Sequence, residues 1–507
     1  MRTLVVGIDS GTQSTKALVV NASTGKVLGA AAKAYGLIEG VPPGAKEQDP
    51  ATWVEATQTV VRQALRKAKA KPSEVRALGV SGQQHGFVPL DREGRVIRAA
   101  KLWCDTTTES ECRQLTDRVG GGKQAIKAVG NAFLPGFTAP KILWMKNHEP
   151  ANFKRLSTVL LPHDYLNYWL TGRAVMECGD ASGTALLDVR KRAWNQDVIR
   201  CIDRGLGKRL PELIQSDEPV GTLRPELARP LGLTPEVLVS AGGGDNMMGA
   251  IGTGNTAAGV ITASFGTSGT IYGCASKPVV DPLGEIAAFC DSTNRWLPLL
   301  CTMNVTVASE LVRQHYGWTH AEFERAARRV PAGSEGLLLL PYLEGERTPN
   351  VPDGTGVWLG VRPSTLSAGH YARAAMEGVT LGMNYGLARL AKLGLKATQI
   401  RATGGGAQSK LWRQIMADVF NTEVVTLQVS EGAAYGAALQ SLWCWRRAQG
   451  DAVSIASLTD RFVKVNARQR TLPDPAAVVQ YQRSQSLQDQ TSRALRKVFG
   501  EHRQLIA

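Results

Sequence analysis

At 507 residues, the chain is too long for one ordinary hydrophobic core, and about 150 residues per domain predicts two to four units. With 43% hydrophobic and 20% charged residues, it has the composition of a soluble globular protein. No apolar run approaches the roughly 20 residues that span a bilayer, and Asp9 interrupts the N-terminal apolar run, which argues against a secretory signal. We therefore expect a cytoplasmic protein without membrane segments.

The charge pattern argues against a nucleic-acid-binding protein, and the cysteine pattern argues against a zinc- or disulfide-stabilised one. The formal net charge of +15 would attract polyanions, but the basic residues are dispersed and aromatic residues make up only 6% of the chain. No nucleic-acid-binding motif is present, so we expect no nucleic-acid partner, although a basic surface would suit a nucleotide substrate. The eight cysteines show no CxxC pair, which favours reduced, packed thiols over zinc or disulfide roles.

The first predicted element is a hairpin near the N terminus. Residues 4–9 and 16–20 have the pattern of strands, and the tight turn Gly11-Thr12-Gln13-Ser14 lies between them. Backbone amides in such a turn can form a concave anion site. Asp9, at the end of the first strand, could hold magnesium through water, because that ion dehydrates reluctantly and is shared with nucleotide phosphates. An ordinary Asx turn is the alternative for Asp9.

A helix and a buried strand follow. Asp49 and Pro50 predict a helix start, and an amphipathic helix of about five turns is indicated by apolar residues at helical spacing: Val54, Val61, Leu65 and Ala68. Residues 77–81 then predict a short buried strand. Gln84 and His85 lie just beyond the C-terminal end of that strand, where α/β proteins usually bind ligands.

The same arrangement of strand and glycine turn recurs twice near the middle of the chain. Residues 237–240 predict a strand that runs into Gly242-Gly243-Gly244, and Asp245 and Asn246 follow directly. A second hairpin turn, Gly266-Thr267-Ser268-Gly269, lies 255 positions after the first. Two such hairpins facing each other across a cleft would grip a polyphosphate from both sides. Asp245 is the candidate catalytic base, and capping of the next helix is its alternative role.

A third glycine turn lies in the second half. Residues 400–403 predict a strand that ends in Gly404-Gly405-Gly406-Ala407-Gln408-Ser409, and a helix with an apolar face follows. Strand, glycine turn and helix N-terminus form a nucleotide-binding geometry, with close helix packing as the alternative. From about residue 448 the chain is more polar, and residues 494–499 predict a terminal helix laid against one lobe.

Together these segments resemble the FGGY carbohydrate kinases of the actin/hexokinase-like ATPase superfamily, most of all the bacterial xylulokinase branch. The similar tracts extend from Gly7 to about Ala438 and are residues 9–16, 81–86, 137–144, 243–246, 264–269 and 404–409. The resemblance implies an α/β fold with two ribonuclease H-like lobes and an interlobe cleft. The implied lobes are residues 1–254 and 255–447, with a C-terminal extension at 448–507.

The resemblance also implies an activity, namely ATP-dependent phosphorylation of the terminal hydroxyl of D-xylulose, with ATP and Mg²⁺ as cofactors. Another pentulose or a pentitol is an alternative substrate, because Gln84 stands where methionine is common and the tract from Trp103 to Thr107 lacks an arginine after Asp105. From a different class, an actin-like or Hsp70-like nucleotide-driven binding module uses the same fold. A homodimer is compatible with the resemblance.

The matching positions give the expected site residues. The catalytic residues are Asp245, as the base, and Asp9, as a magnesium ligand acting through water. The expected sugar ligands are Gln84, His85, Asp245, Asn246, Asp105 and Trp103. The expected ATP ligands are Gly11, Thr12, Gln13, Ser14, Lys16, Gly266, Thr267, Ser268, Gly405, Gly406, Ala407 and Gln408. Structural roles remain the alternatives for His85, Trp103 and Lys16.

Overall fold

Two large mixed sheets, one in each half of the sequence, organise the computed structural model, which describes residues 2–506. The strands of the first half are β1 Leu4–Ser10, β2 Ser14–Asn21, β3 Val27–Ala34, β4 Glu47–Gln48, β5 Val75–Gly82, β6 Val88–Leu90, β7 Ala100–Lys101, β8 Thr158–Leu160, β9 Val175–Glu177, β10 Leu187–Asp188, β11 Ala193–Trp194, β12 Glu212–Ile214, β13 Pro219–Thr222, β14 Leu238–Ser240 and β15 Gly243–Gly244. Those of the second half are β16 Val260–Phe265, β17 Gly269–Gly273, β18 Leu299–Thr302, β19 Leu338–Pro341, β20 Gly356–Leu359, β21 Gln399–Thr403 and β22 Glu423–Val425.

The helices cover the faces of these sheets. In the first half they are α1 Pro50–Lys67, α2 Glu109–Arg118, α3 Gly122–Val129, α4 Thr138–His148, α5 Pro150–Arg155, α6 Pro162–Thr171, α7 Cys178–Ala181, α8 Gln196–Ile202, α9 Pro225–Leu231 and α10 Asp245–Gly252. In the second half they are α11 Thr306–His315, α12 His320–Arg328, α13 Ala368–Lys392, α14 Lys410–Phe420, α15 Gly432–Ala448, α16 Ile455–Phe462 and α17 Pro475–Ile506.

The two main sheets share one strand arrangement. In the first, β3, β2 and β1 form an antiparallel meander, and β5 and β14 continue from β1 in parallel. In the second, β18, β17 and β16 form the meander, and β21 and β22 continue it in parallel. Both predicted hairpins are therefore present, at corresponding places in two similar sheets.

The first sheet gathers three functional segments at one edge. Strands β1, β5 and β14 are parallel, so their carboxyl ends meet at the same edge. Asp9 is paired with Ser81 across β1 and β5, and β15 pairs with the end of β5 through Gly243 and Gly244. This register brings Asp9 and the residues that follow Gly82 and Gly244 to one place.

Local sequence signals explain the first helix. Asp49 caps α1 by accepting a hydrogen bond from the Ala51 amide at 2.9 Å, and Pro50 occupies the first helical position. The helix is 18 residues long, as the predicted five turns require, and Trp53, Val60 and Val61 are buried against the first sheet.

Helix α15 belongs to the second half by sequence but packs on the first sheet. A Cβ on Gly7 of β1 would lie 1.9 Å from the Ala434 carbonyl oxygen, and one on Gly79 of β5 would lie 2.3 Å from that of Ala437. These glycines let the helix backbone approach the sheet closely. The boundary near residue 447 remains a prediction, since α15 lies before it in the sequence but packs on the first sheet.

The C-terminal helix α17 is held against the second half. Gln488 donates to the carbonyl oxygens of Leu339 and Gly378 at 3.0 and 2.8 Å, and the Tyr481 hydroxyl donates to Glu377 at 2.6 Å. The predicted terminal helix is thus the last part of a much longer one. Across residues 2–506, no helix combines the length and apolar character needed to cross a bilayer.

Candidate active site

A cavity of about 310 Å³ lies where the two halves meet. Its walls combine residues from both halves, among them Gln84, His85, Trp103, Asp245 and Asn246 from the first and Ser264, Ser268, Thr270, Glu285 and Arg347 from the second. Ligand pockets commonly range from about 300 to 1,000 Å³, so this cavity suits a small molecule. Its lining is mainly neutral and rich in hydrogen-bonding groups, which fits a polyhydroxylated ligand.

Asp245 begins helix α10 directly after the short strand β15. Gly244 occupies the capping position of that helix, so Asp245 does not have the helix-capping role that was its alternative. A Cβ on Gly244 would lie 2.6 Å from Gln84 Cγ and 2.9 Å from Asp180 Oδ1. The absence of a side chain at 244 therefore allows Asp245 to reach the cavity between these two neighbours.

The carboxyl group of Asp245 has a strongly raised proton affinity. Burial makes the largest contribution, and the negative charges of Asp9 and Asp180 add to it, which raises the pKa of Asp245 to about 8. A hydrogen bond from Asn246 Nδ2 to Asp245 Oδ1, at 2.9 Å, acts in the opposite direction. A pKa near neutrality is what a general base requires.

Asp9 lies one residue before the end of β1, and its charge acts on the Asp245 carboxyl group. Burial raises the pKa of Asp9 to about 6, partly offset by the Ser81 hydroxyl, which donates to Oδ1 at 2.8 Å, and by the charge of Lys16. Lys16 itself pairs with Glu431 at 2.7 Å. Within residues 2–506 there is no cluster of three or more side chains suited to a metal. A hard cation at Asp9 would need water and phosphate oxygens to complete its shell.

The first hairpin turn is closed by a hydrogen bond from the Gly11 amide to the Ser14 carbonyl at 3.0 Å. Its Thr12 hydroxyl donates to Gln83 Oε1 at 3.0 Å and accepts from Trp103 Nε1 at 2.9 Å. Thr12 thus ties the hairpin to the cavity wall. Gln13 is exposed at the tip, free to contact a ligand.

The second hairpin is braced by the start of α11. The carbonyl oxygens of Gly266 and Thr267 accept from the amides of Thr306 and Val305 at 2.9 and 3.0 Å. Thr267 is exposed at the tip, and Ser268 lines the cavity. Both predicted hairpins are therefore present, one in each main sheet, and their binding of phosphate stays a prediction.

The third glycine turn borders a separate cavity of about 610 Å³. Gly405, Gly406 and Gln408 line it, and Ser409 caps α14 by accepting from the Trp412 amide at 3.1 Å. The predicted sequence of strand, turn and helix is present. Ala407 differs from its neighbours, because it is buried in the core and does not line this cavity.

The expected sugar ligands Gln84 and Asn246 form a connected pair. Asn246 Nδ2 donates to Gln84 Oε1 at 2.8 Å, and Gln84 Nε2 approaches Met247 Sδ at 3.2 Å. The pair links the end of β5 to the start of α10, and both side chains line the cavity. This link orients the amides for a ligand and holds Asn246 against Asp245.

His85 has a left-handed backbone, with φ of 64°. Its carbonyl oxygen accepts from Lys141 Nζ at 2.9 Å and from Thr138 Oγ1 at 3.1 Å, which holds this unusual conformation. The ring packs against Phe137 and Phe289. Burial, followed by the charges of Lys141 and Arg347, lowers the pKa of His85 well below its usual value, so the imidazole is neutral.

Asp105 and Trp103 were the two remaining candidates. Asp105 is fully buried and does not line the cavity; its oxygens accept hydrogen bonds from Lys101 Nζ at 2.9 Å, the Lys46 amide at 2.9 Å and the Thr107 hydroxyl at 2.6 Å. Its contacts are those of a structural ion pair, not of a sugar ligand. Trp103 does line the cavity, with its indole N–H directed to Thr12.

Sequence reasoning missed a buried charged cluster next to the turn that carries Asp245. His163 Nδ1 lies 2.7 Å from Asp180 Oδ2, its Nε2 lies 3.0 Å from Asp164 Oδ1, and all three side chains are buried. Asp180 is one of the two charges that raise the pKa of Asp245. A signal was available, because Asp180 stands among small residues at 179–183, much as Asp245 follows glycines.

The other missed residues are Glu285 and Arg347, which line the cavity from the second half. Neither stands in a glycine-rich turn after a main-sheet strand, so the pattern used to find the other candidates does not apply to them. Their positions depend on loops that fold back toward the first half.

Comparison with known proteins gives matches over most of the chain. The model for the N-terminal domain of the FGGY family of carbohydrate kinases matches residues 4–252, and the model for the C-terminal domain matches residues 262–445. A xylulose kinase of Haemophilus influenzae is 40% identical over 485 residues, which cover 94% of this chain and 97% of that protein. A xylulose kinase of Escherichia coli is 35% identical over 487 residues, with 94% and 96% covered.

Solved structures agree with these matches. The crystal structure of a xyloylose kinase from Brucella ovis has a TM-score of 0.89 and 31% identity to this chain, covering 98% of this chain and 100% of that one. The predicted fold class, α/β with two ribonuclease H-like lobes and a cleft between them, is confirmed.

Proposed function

The chain belongs to the FGGY family of carbohydrate kinases, and from that premise we propose that it transfers the γ-phosphoryl group of ATP to the terminal hydroxyl of D-xylulose, giving xylulose 5-phosphate and ADP. The support for this sugar is that relatives named as xylulose kinases match nearly the whole chain at up to 40% identity. A nucleotide-driven binding module without a small-molecule acceptor does not fit a carbohydrate kinase family.

The observation that carries the proposal is the position of Asp245 in a cavity shared by both lobes. Gln84, His85 and Asn246 surround it with groups that bind hydroxyls, and Ser268 of the second hairpin lines the same space. An alcohol held here faces a carboxyl group of raised pKa on one side and a phosphate-binding turn on the other. This is the arrangement that phosphoryl transfer to a sugar requires.

The reaction then follows from positioning. Asp245 takes the proton of the C5 hydroxyl as the oxygen forms a bond to the γ-phosphorus, and the bond from that phosphorus to the β–γ bridging oxygen breaks. ADP leaves with the electron pair of that bond. General-base assistance of this kind is typically worth about 10²- to 10⁴-fold in rate.

The remaining residues bind the nucleotide. The hairpin residues Gly11, Thr12, Gln13, Ser14, Gly266, Thr267 and Ser268 contact the phosphates, and Gly405, Gly406 and Gln408 border the adenosine cavity. Lys16 reaches the phosphates only by leaving Glu431. Asp9 is the residue that would hold magnesium, through water, and the ion would supply neutralisation of the phosphate charge there. We place the reaction in the cytoplasm, and a homodimer remains a prediction.

An ADP-release assay with a panel of ketopentoses, ketohexoses and polyols tests the proposal. We expect D-xylulose to give the highest kcat/KM, and Asp245→Asn to reduce kcat at least 100-fold with the fold intact. Asp117→Asn, an exposed aspartate on α2, is the matched control and should retain full activity. A higher kcat/KM for another sugar would overturn the substrate, and an active Asp245→Asn variant would overturn the base.

A further inference from the structure

Arg347 is an unusual residue in the cavity wall. Among the described lining residues it is the one with a permanent positive charge, and it is exposed, not buried. Its charge helps to lower the pKa of His85, which lines the same cavity. Apart from an approach to the Cys301 thiol, the side chain makes no hydrogen bond or ion pair within residues 2–506.

The backbone around Arg347 is firmly fixed. Glu346 Oε1 accepts from the amides of Arg347 and Met303, both at 2.8 Å, and Glu346 Oε2 accepts from Asn304 Nδ2 at 3.1 Å. On the other side, the Thr348 hydroxyl donates to the Glu285 carbonyl at 2.9 Å. An anchored backbone that carries an unpaired guanidinium into a cavity is the arrangement of a ligand-binding residue.

The neighbouring carboxylate, that of Glu285, does not pair with the Arg347 guanidinium. The carboxylate of Glu285 accepts from the Tyr385 hydroxyl, at 2.9 and 3.2 Å from its two oxygens. It forms no ion pair with Arg347, although both residues line the cavity.

Most other N–H donors of the cavity already have partners. Trp103 Nε1 donates to Thr12 at 2.9 Å, Asn246 Nδ2 donates to Gln84 and Asp245, and Asn131 Nδ2 donates to the Ala288 carbonyl at 2.8 Å. The guanidinium of Arg347 has five N–H donors and no acceptor. It therefore offers more N–H donors without a hydrogen-bond partner than any other described side chain of the cavity wall.

The chemistry of a 2-ketopentose requires such a donor. This sugar closes its ring by adding the C5 hydroxyl to the C2 carbonyl, so the ring form has no free C5 hydroxyl to phosphorylate. The reacting molecule is the open chain, which presents a carbonyl oxygen. Hydroxyl groups can donate or accept, but a carbonyl oxygen only accepts and needs a donor from the protein.

We propose that Arg347 donates to the C2 carbonyl oxygen of the open-chain substrate and thereby makes the enzyme select ketopentoses over the corresponding alditols. This inference rests on the proposed function, because it assumes a ketopentose as the acceptor. Arg347 is then a sugar-binding residue of the second lobe. The first-lobe residues Gln84, His85 and Asn246 do not supply its hydrogen-bond donors.

The test compares D-xylulose with D-arabinitol, in which a CHOH group replaces the C2 carbonyl. Arg347→Gln should raise the KM for D-xylulose about 10- to 100-fold, the range expected when a hydrogen bond to a charged group is lost, and should change kcat less. The competitive inhibition constant of D-arabinitol should change less than about threefold, since its C2 hydroxyl, unlike a carbonyl oxygen, can also donate and does not depend on Arg347 for a partner. Arg347→Lys, which retains the charge without the fork of donors, should be intermediate.

The controls separate binding from folding and from the proposed function. Arg62→Gln, an exposed arginine on α1 far from the cavity, should leave both constants unchanged, and all variants should unfold at the wild-type temperature. Equal losses for both sugars, or no loss for either, would overturn the role of Arg347 while leaving the kinase activity intact. A wild-type enzyme that does not phosphorylate D-xylulose would instead overturn the substrate, before any variant is compared.

Discussion

The raised pKa that suits Asp245 to its proposed role as the base has a cost to folding. Its folded pKa of about 8 lies far above its ordinary value of 3.8, so the folded chain holds a proton that the unfolded chain releases. Folding stability therefore falls as the pH rises from about 4 to about 8, and above that the full cost remains. The cause is burial next to Asp9 and Asp180, neither of which is close to Asp245 in the sequence.

Asp245→Asn should therefore raise thermal stability while it lowers kcat at least 100-fold. The neutral amide removes the cost of ionisation, and we expect the Tm to rise by about 2 °C or more at pH 8. The gain should shrink as the pH is lowered toward 5, because the wild-type carboxyl group is then protonated in the folded state. Thermal unfolding followed at several pH values measures both effects.

Asp105→Asn is the control of opposite sign. Burial acts to raise the pKa of Asp105, but hydrogen bonds from Thr107, Lys101 and the Lys46 amide outweigh it and hold the pKa below its usual value. This carboxylate stabilises the fold above its ordinary pKa and loses that effect as the pH falls. Its replacement should lower the Tm at pH 8, and a lower Tm for Asp245→Asn as well would contradict the explanation given for Asp245.

Single residues differ in how far the sequence predicts them. Asp245, Gln84 and His85 follow glycine turns at strand ends, a local pattern that is visible in the sequence. Asp105, predicted as a sugar ligand, lies in a buried ion pair instead. Its partner Lys101 is only four residues away in the sequence, but Lys46, whose amide also binds it, becomes close only in the fold. Arg347 was missed for the same physical reason, since a loop from the other half carries it into the cavity.

At the scale of elements, close approach of helices α10 and α15 depends on glycine. A Cβ on Gly252 would lie 1.8 Å from the Gly432 carbonyl oxygen, and one on Gly436 would lie 1.8 Å from that of Met248. The hairpins and α1 could be predicted from local patterns, whereas this helix crossing could not. Its partners are about 180 residues apart, and helix propensity alone would disfavour glycine at 436.

Gly436→Ala should destabilise the protein although alanine is the better helix former. Alanine gains roughly 1 kcal/mol in an exposed helix interior, but at this position its methyl group would collide with backbone, which cannot move without separating the two helices. We expect the Tm to fall by several degrees and the yield of folded protein to drop. Thermal unfolding monitored by circular dichroism measures the change.

Gly432→Ala on the same helix is the matched control. The atoms nearest to a Cβ at 432 lie 3.7 and 4.0 Å away, an ordinary contact distance. This variant should be neutral or slightly stabilising. Equal effects of the two substitutions would show that the helix crossing does not depend on Gly436.

At the scale of the whole molecule, the two sheets of matching strand order place one hairpin on each side of the cleft. The repeat of the hairpin 255 positions later predicted this arrangement, because each turn lies between strands of similar pattern. The sequence did not predict that α15 would pack across to the first sheet. The N-terminal end of that helix lies near Asp9, since Glu431 directly before it pairs with Lys16, and the acceptor cavity draws its walls from both lobes.

A cavity shared by two lobes couples sugar binding to closure. Water in an open cleft could accept the phosphoryl group, so a kinase limits hydrolysis by completing its site only when the sugar is bound. We expect ADP release without sugar to stay below about 1% of the rate with D-xylulose.

The analogue 5-deoxy-D-xylulose should fill the cavity, promote closure and leave space for water where the hydroxyl would lie. It should therefore stimulate hydrolysis above the sugar-free rate. Parallel ADP-release assays with no sugar, with the analogue and with D-xylulose measure the three rates. Equal rates with and without sugar would show that the lobes do not control access of water to the γ-phosphate, and a loss of stimulation in Asp245→Asn would show that the same base activates water and sugar.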